Sequence, residues 1–251
     1  MFQYRCFILL LIVFFSYFSA SEAVDRRQNN AEYDHMFALG VASSCDKATL
    51  HDYPLVYSEY LSPLKNKPIK LLEIGILHGK SVKLWEDYFP NAELHFIDRS
   101  MEYVTYFSKR SHYHLADQGN PEDLKRVIET TGGEFDVIID DGGHCMKQQI
   151  VSFIELFPHI KSGGMYIVED LHTSYWNVYG GGGTQENPSA GEGTAIAFFQ
   201  NLVHDVNFVG ANTGRVNYEL HSESYKQTLS YYQKNIYSIH FYDSMCIIIK
   251  R

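Results

Sequence analysis

The stretch DVIIDDGGH, residues 136–144, ends an apolar run in two aspartates, turns on two glycines and delivers a histidine. Asp141 offers hard oxygens, and His144 follows three residues later around the turn. A second apolar run, GMYIVED (164–170), closes on Glu169 and Asp170. Carboxylates gathered in this way suit a hard divalent cation such as Mg2+, which takes oxygen ligands and keeps positions open for water or substrate. A histidine beside them is the residue type that accepts a proton from a weak nucleophile near neutral pH. Simpler roles compete. Aspartate at a strand-to-helix junction caps the next helix, and a histidine after a turn can be structural. Capping explains one or two such acids, but five apolar runs end in them here: at Glu73, Asp98, Asp117, Asp140–Asp141 and Glu169–Asp170.

The elements that must position these residues are legible as an alternation. Short apolar runs at 69–75, 92–98, 113–117, 135–141 and 164–170 read as strands. Helical stretches are expected between them at 79–88, 100–108, 121–130 and 147–157. Strands separated by helices of this length make βαβ units and a parallel sheet, whose carboxyl edge is where ligands bind. The end of the chain departs from this rhythm. SIHFYDSMCIIIKR (238–251) places two apolar runs around Tyr242-Asp-Ser244, which reads as an antiparallel hairpin. The glycine-rich segment 179–193 follows the fifth strand, as a surface excursion or a cover for the acid-rich edge. Residues 24–36 are polar and read as loose, and a helical stretch follows around LHDYPLVYSEYLSPL.

The turn after the first strand, LLEIGILHGKS (71–81), leaves a choice of ligand. Gly79-Lys80-Ser81 resembles the end of a P-loop, with FDVIIDD as its partner strand, but only three residues separate Gly75 from Gly79 where a P-loop has four. The dinucleotide fingerprint Gly-x-Gly-x-x-Gly is absent, although Asp98 is spaced suitably for a ribose. A carboxylate at Glu73 repels a triphosphate and suits a ligand carrying an ammonium or sulfonium.

The pattern hydrophobic-Glu-hydrophobic-Gly-x-x-x-Gly resembles motif I of the Rossmann-like S-adenosylmethionine (SAM) methyltransferases. Acids after strands one, two and three then fit the methionine, ribose and adenine ends of SAM through Glu73, Asp98 and Asp117-Gln118. Gly75, Gly79 and Ser81 form the turn. Asp140 is grouped with this cofactor side, although alternation points it away from Asp141 and toward the fold. The likeness extends through DKATLHDYPLVYSEYL (46–61), DVIIDDGGH, SFIELFPHIKSGGMYIVEDLHTSYW (152–176) and IHFYDSMCIIIK (239–250). Together these resemble the metal-dependent sugar O-methyltransferases of macrolide biosynthesis, the mycinamicin and macrocin group. Ser44-Cys45 stands where that family shows Gly-Thr before Asp-Lys. The resemblance implies Asp141, Glu169 and Asp170 as Mg2+ ligands, His144 as general base, and a sugar or polyol hydroxyl as acceptor. It also implies an α/β, Rossmann-like SAM methyltransferase fold over residues 68–251. That fold is a mainly parallel seven-stranded sheet with a C-terminal antiparallel hairpin and helices on both faces, here preceded by a polar and helical lead-in at 24–67. His51 and Tyr53 could line the pocket or pack, HTSYW (172–176) faces the substrate side, and Trp176 is expected in the core. The readings from other classes are a nucleotide hydrolase using Lys80 and Asp140, and a non-catalytic SAM-fold binding protein.

Composition sets outer bounds. A net charge of −9 with no basic run argues against nucleic acid as a partner. The expected partner is a small-molecule or glycan acceptor, and nothing in the sequence excludes a homo-oligomer. Residues 1–23 carry Arg5, an apolar run from Cys6 to Phe18 and a small-x-small site at Ser21-Glu-Ala23. The run is short for a membrane span, which takes roughly 20 residues. It reads as a secretory signal peptide, with an uncleaved anchor as the alternative, and places the chain in the secretory pathway. Protein made in a eukaryotic secretory host should therefore begin just after Ala23 by mass spectrometry. Recovery of Met1 in the membrane fraction would favour the anchor. Cys45, Cys145 and Cys246 remain, in no metal or redox spacing, and are expected to be buried thiols.

Overall fold

The computed structural model describes residues 27–215 and 217–251. The segment read as a signal, residues 1–23, lies outside them. Among the described residues no helix is long and apolar enough to cross a membrane.

Seven strands form one sheet: β1 Lys70–Ile74, β2 Glu93–Asp98, β3 Ser111–Leu115, β4 Phe135–Asp140, β5 Ile160–Val168, β6 Ile236–Tyr242 and β7 Met245–Lys250. Their order is β3-β2-β1-β4-β5-β7-β6. The first five are parallel, and β7 runs antiparallel to both β5 and β6. The mainly parallel sheet with a terminal hairpin is thus the observed architecture. The central strands are covered on both faces, which is why they read as nearly unbroken apolar runs.

Two core layers flank the sheet. One packs Leu71, Val137 and Ile139 beneath Tyr57, Trp85 and Phe89. The other packs Leu72, Ile138 and Val168 beneath Phe153, Phe157 and Phe199. Each fully buried side chain of this size contributes about 1.5–3 kcal/mol. Residues 24–36 are less loose than their polarity suggests. A helix spans Ala31–Ala42, and the Asn30 side chain caps it by accepting from the Tyr33 N–H at 3.0 Å. It covers the first layer with the helices Tyr53–Leu61 and Lys80–Tyr88. Residues 31–61 therefore share the core of the sheet they precede.

One expected helix is missing. Residues 100–108 run as turns and extended chain between β2 and β3. The Thr105 and Tyr106 N–H groups donate to the carbonyl of His78, both at 3.2 Å, and the Thr105 hydroxyl does the same at 3.0 Å. Binding to the glycine turn takes the backbone donors that a helix would use internally, so a tertiary contact overrides local propensity.

Candidate active site

A cavity of about 450 Å³ opens at the carboxyl edge beside β1, where strand order reverses between β2 and β4. This is where open α/β sheets bind ligands. Gly75, Ser81, Asp98, Asp117, Gln118, Asp141, His144 and Asp170 line it, whereas Glu73, Gly79, Asp140 and Glu169 do not.

The two glycines serve the chain more directly than a ligand. Gly75 has φ +99°, and a Cβ there would lie 2.0 Å from the Asp141 carbonyl oxygen. Gly79 has φ +83°, and its Cβ would lie 2.6 Å from the Tyr106 carbonyl oxygen. The Asp98 carboxylate ties this turn to β2 by accepting the N–H groups of Ile76 at 2.9 Å, Leu77 at 3.2 Å and Ser100 at 3.1 Å. Asp117 accepts the Gly119 N–H at 2.8 Å. Gln118 uses both ends of its amide: it donates to Asp140 at 2.9 Å and accepts the Gly143 N–H at 2.7 Å. Both bonds hold the 140–144 turn against the cavity wall that Gln118 lines.

Glu73 and Asp140 need correction as cofactor contacts. Glu73 shares a strand face with Leu71, under the Trp85 layer, while Ile74 and Gly75 meet the cavity. It accepts the indole N–H of Trp85 at 3.0 Å and lies 3.3 Å from the Lys47 ammonium. Asp140 points into the opposite layer, where Ser152, Tyr166 and Gln118 all donate to it. Burial pushes its carboxyl above the usual range, against those three donors.

Asp141, His144 and Asp170 meet at the end of the cavity, their ligand atoms within 4.8 Å of one another. His144 Nε2 lies 3.6 Å from Asp170 Oδ2 and 3.9 Å from Asp141 Oδ1. His144 and Asp170 both hold left-handed backbone, at φ 55° and 56°. Non-glycine residues there cost about 1–3 kcal/mol each and persist only when their surroundings impose them. The Thr173 hydroxyl bridges the two turns, reaching the carbonyls of His144 at 3.2 Å and Asp170 at 2.7 Å. The Tyr53 hydroxyl donates to Asp170 Oδ1 at 2.6 Å.

The expected ligand set Asp141, Glu169 and Asp170 does not converge at one point. Asp141 belongs to two clusters, one with His144 and Asp170 and another with Glu73 and Glu169. Adjacent residues leaving β5 turn to opposite sides, so Glu169 faces Lys47 and Tyr57 instead of the cavity. Lys47 and Tyr57 are the members that sequence reading missed. Lys47 is 1 % exposed and contacts Asp141, Glu169 (2.8 Å) and Glu73. Burial alone would draw its ammonium down, but the three carboxylates hold it well above the usual lysine value. Burial pushes Glu73, Asp141 and Glu169 up. A single lysine in DKATLHDYPLVY carries no mark of burial, and its charge argues for the surface.

Aromatic side chains gather beside Asp170, which His51 approaches to 3.9 Å. His51 stacks on Tyr53 with centroids 4.8 Å apart, and His172 meets Trp176 edge-on at 4.7 Å. Trp176 is 51 % exposed, so the expected core position is wrong: it lies at the surface against His172. All three described cysteines are free, and Cys145 is exposed at the cavity because it N-caps the helix Met146–Leu156.

No protein-family model matches the chain. An L-olivosyl-oleandolide 3-O-methyltransferase of Streptomyces antibioticus is 33 % identical over 197 residues, covering 75 % of this chain and 47 % of that protein. A mycinamicin VI 2''-O-methyltransferase of Micromonospora griseorubida is 28 % identical over 208 residues, covering 80 % and 48 %. Among solved structures, the MycE methyltransferase in complex with Mg, SAH and mycinamycin VI superposes with a TM-score of 0.72 at 26 % identity. That match covers 86 % of this chain and 53 % of MycE. The chain spans about half the length of the relatives it matches. The strand order, the cavity at the switch point and these similarities agree: the chain has the Rossmann-like fold of the MycE methyltransferase and is similar to the sugar O-methyltransferases of the macrolide type.

Proposed function

We propose that this chain is a SAM-dependent O-methyltransferase, assisted by Mg2+, that methylates a hydroxyl of a sugar or polyol. The observation that carries the reading is the meeting of Asp141, His144 and Asp170 at the end of the switch-point cavity. The relatives' names, and the Mg and SAH in the MycE complex, support the same assignment.

The donor chemistry fits a hard cation. Asp141 and Asp170 bring carboxylate oxygens to the cavity side by side, and these two would hold the ion. Mg2+ supplies Lewis acidity that lowers the pKa of an acceptor hydroxyl, and SAM supplies the methyl group. The protein's own part is positional and acid–base. Asp98 and the 75–81 turn bound the cofactor side of the cavity. His144 Nε2 would accept the hydroxyl proton, leaving the acceptor oxygen free to take the methyl group that SAM would supply. The imidazolium so formed has Asp170 at 3.6 Å to stabilise it. A nucleotide hydrolase fits less well, because Asp140 is buried in its own donor network and does not reach the cavity.

Labelled SAM, Mg2+ and a panel of glycans and small polyols should give methyl transfer that EDTA abolishes and added Mg2+ restores. Calorimetry should show SAM binding and no competing ATP binding. ATP binding tighter than SAM would sink the assignment.

A further inference from the structure

Lys47 lies outside the cavity, and the proposed chemistry gives it no role. It sits on the short helix Asp46–Thr49, and its ammonium meets one carboxylate from each of three adjacent strand ends: Glu73 one residue before the end of β1, Asp141 just after β4 and Glu169 just after β5. An ammonium has three N–H donors, and three acceptors surround this one. Two of the oxygens that face the ammonium are held by a second donor: the Trp85 indole donates to Glu73 Oε1 at 3.0 Å and the Tyr57 hydroxyl donates to Glu169 Oε1.

Two details point beyond ordinary ion pairing. Asp141 is divided between the clusters: Oδ2 is bound by Lys47, while Oδ1 lies 3.9 Å from His144 Nε2 on the cavity side. The carboxylate that would face the metal is thus fixed from behind by the lysine. Furthermore, the ligand atoms of Glu73, Asp141 and Glu169 lie within 4.8 Å of one another, as those of a metal site do. Oε2 of fully buried Glu73 is left without a hydrogen bond of ordinary geometry, although the Ser81 side chain is near enough to favour the carboxylate's charge. The cluster holds more acceptor oxygen than one ammonium satisfies, which is what a higher-coordinate cation would use.

We infer that Lys47 is a built-in cation, occupying with its ammonium the place of a second metal ion between Glu73, Asp141 and Glu169 and thereby aiming Asp141 at the cavity. The inference rests on the proposed Mg2+ site for its consequence, but not for its geometry. Lys47 is a positioning residue: it touches neither acceptor nor cofactor, and it keeps the centre at one exchangeable ion. Divalent ions are excluded from the inner cluster because the lysine already fills it.

The test counts ions. Mn2+ binding, followed by electron paramagnetic resonance of the free ion, should give one site in the wild type and two in Lys47→Met. Lys47→Arg should retain one. Mn2+ should also raise the melting temperature of Lys47→Met more than that of the wild type, because the new site neutralises carboxylates left bare by the mutation. If Lys47→Met does not fold without metal, refolding in Mn2+ should recover it. The double variant Lys47→Met/Glu73→Gln, with one fewer buried charge, should bind a second ion more weakly than Lys47→Met. The inference is overturned if Lys47→Met binds one ion at wild-type affinity, or if it resists recovery by Mn2+ while the double variant folds and binds one ion. A wild type that binds no ion would refute the proposed Mg2+ site. A single inner ion in Lys47→Met would then still support the role of the lysine.

Discussion

His144→Ala should lose on the order of 10²–10⁴ in the rate of methyl transfer, the span removed with a general base, while keeping SAM and Mn2+ binding. A base and a ligand differ in what survives their loss. His144 sits 3.6 Å from Asp170 and 3.9 Å from Asp141, close enough to share their environment, yet the two carboxylates reach the cavity without it. Its ring position is imposed by a left-handed backbone that Thr173 clamps, so truncation to alanine leaves the turn itself in place. Added imidazole should restore part of the turnover. Loss of Mn2+ binding in parallel with rate would make His144 a ligand. Full activity would move the base elsewhere, with His172, held to Ser244 at 3.1 Å, next in line.

The largest expected effect on stability is at Gly75. Gly75→Ala should cost about 2–6 kcal/mol, combining left-handed backbone strain of roughly 1–3 kcal/mol with overpacking of similar size. The added methyl would meet the Asp141 carbonyl oxygen at 2.0 Å, and that atom belongs to the backbone leaving β4, which cannot swing aside as a side-chain tip can. Gly132→Ala is the control. It is also left-handed, at φ +77°, but nothing lies within 4 Å of its Cβ, so only the backbone strain of about 1–2 kcal/mol applies. Urea denaturation of both variants decides the matter, and equal losses would show that close approach to Asp141 is not what demands glycine at position 75.

Much of this could be read from residue order. The parallel strands and their helices follow from local periodicity, and the turn at Asp243–Ser244 follows from its setting between two apolar runs. Acids at strand ends mark the functional edge because topology sends every parallel strand's carboxyl end to the same side. The period of two also separates Asp140 from Asp141, one toward the Tyr166 layer and the other toward the cavity.

What the chain order could not reveal is which acid meets which partner. Glu73 and Asp141 are both carboxylates at strand ends, but Trp85 and Lys47 hold Glu73 away from the cavity through one oxygen, while Lys47 takes one oxygen of Asp141 and leaves the other on the cavity side. Lys47 is 94 residues from Asp141 and 122 from Glu169, so no local pattern predicts its burial among them. The helix expected at 100–108 failed for a related reason: its N–H groups go to His78, across the sheet edge. Residue type and spacing determined the charge and the elements, because secondary structure and turn chemistry act over a few neighbours. Tertiary structure alone decided how that charge is shared, because a buried carboxylate takes its character from whichever cation or donor the folded chain brings against it.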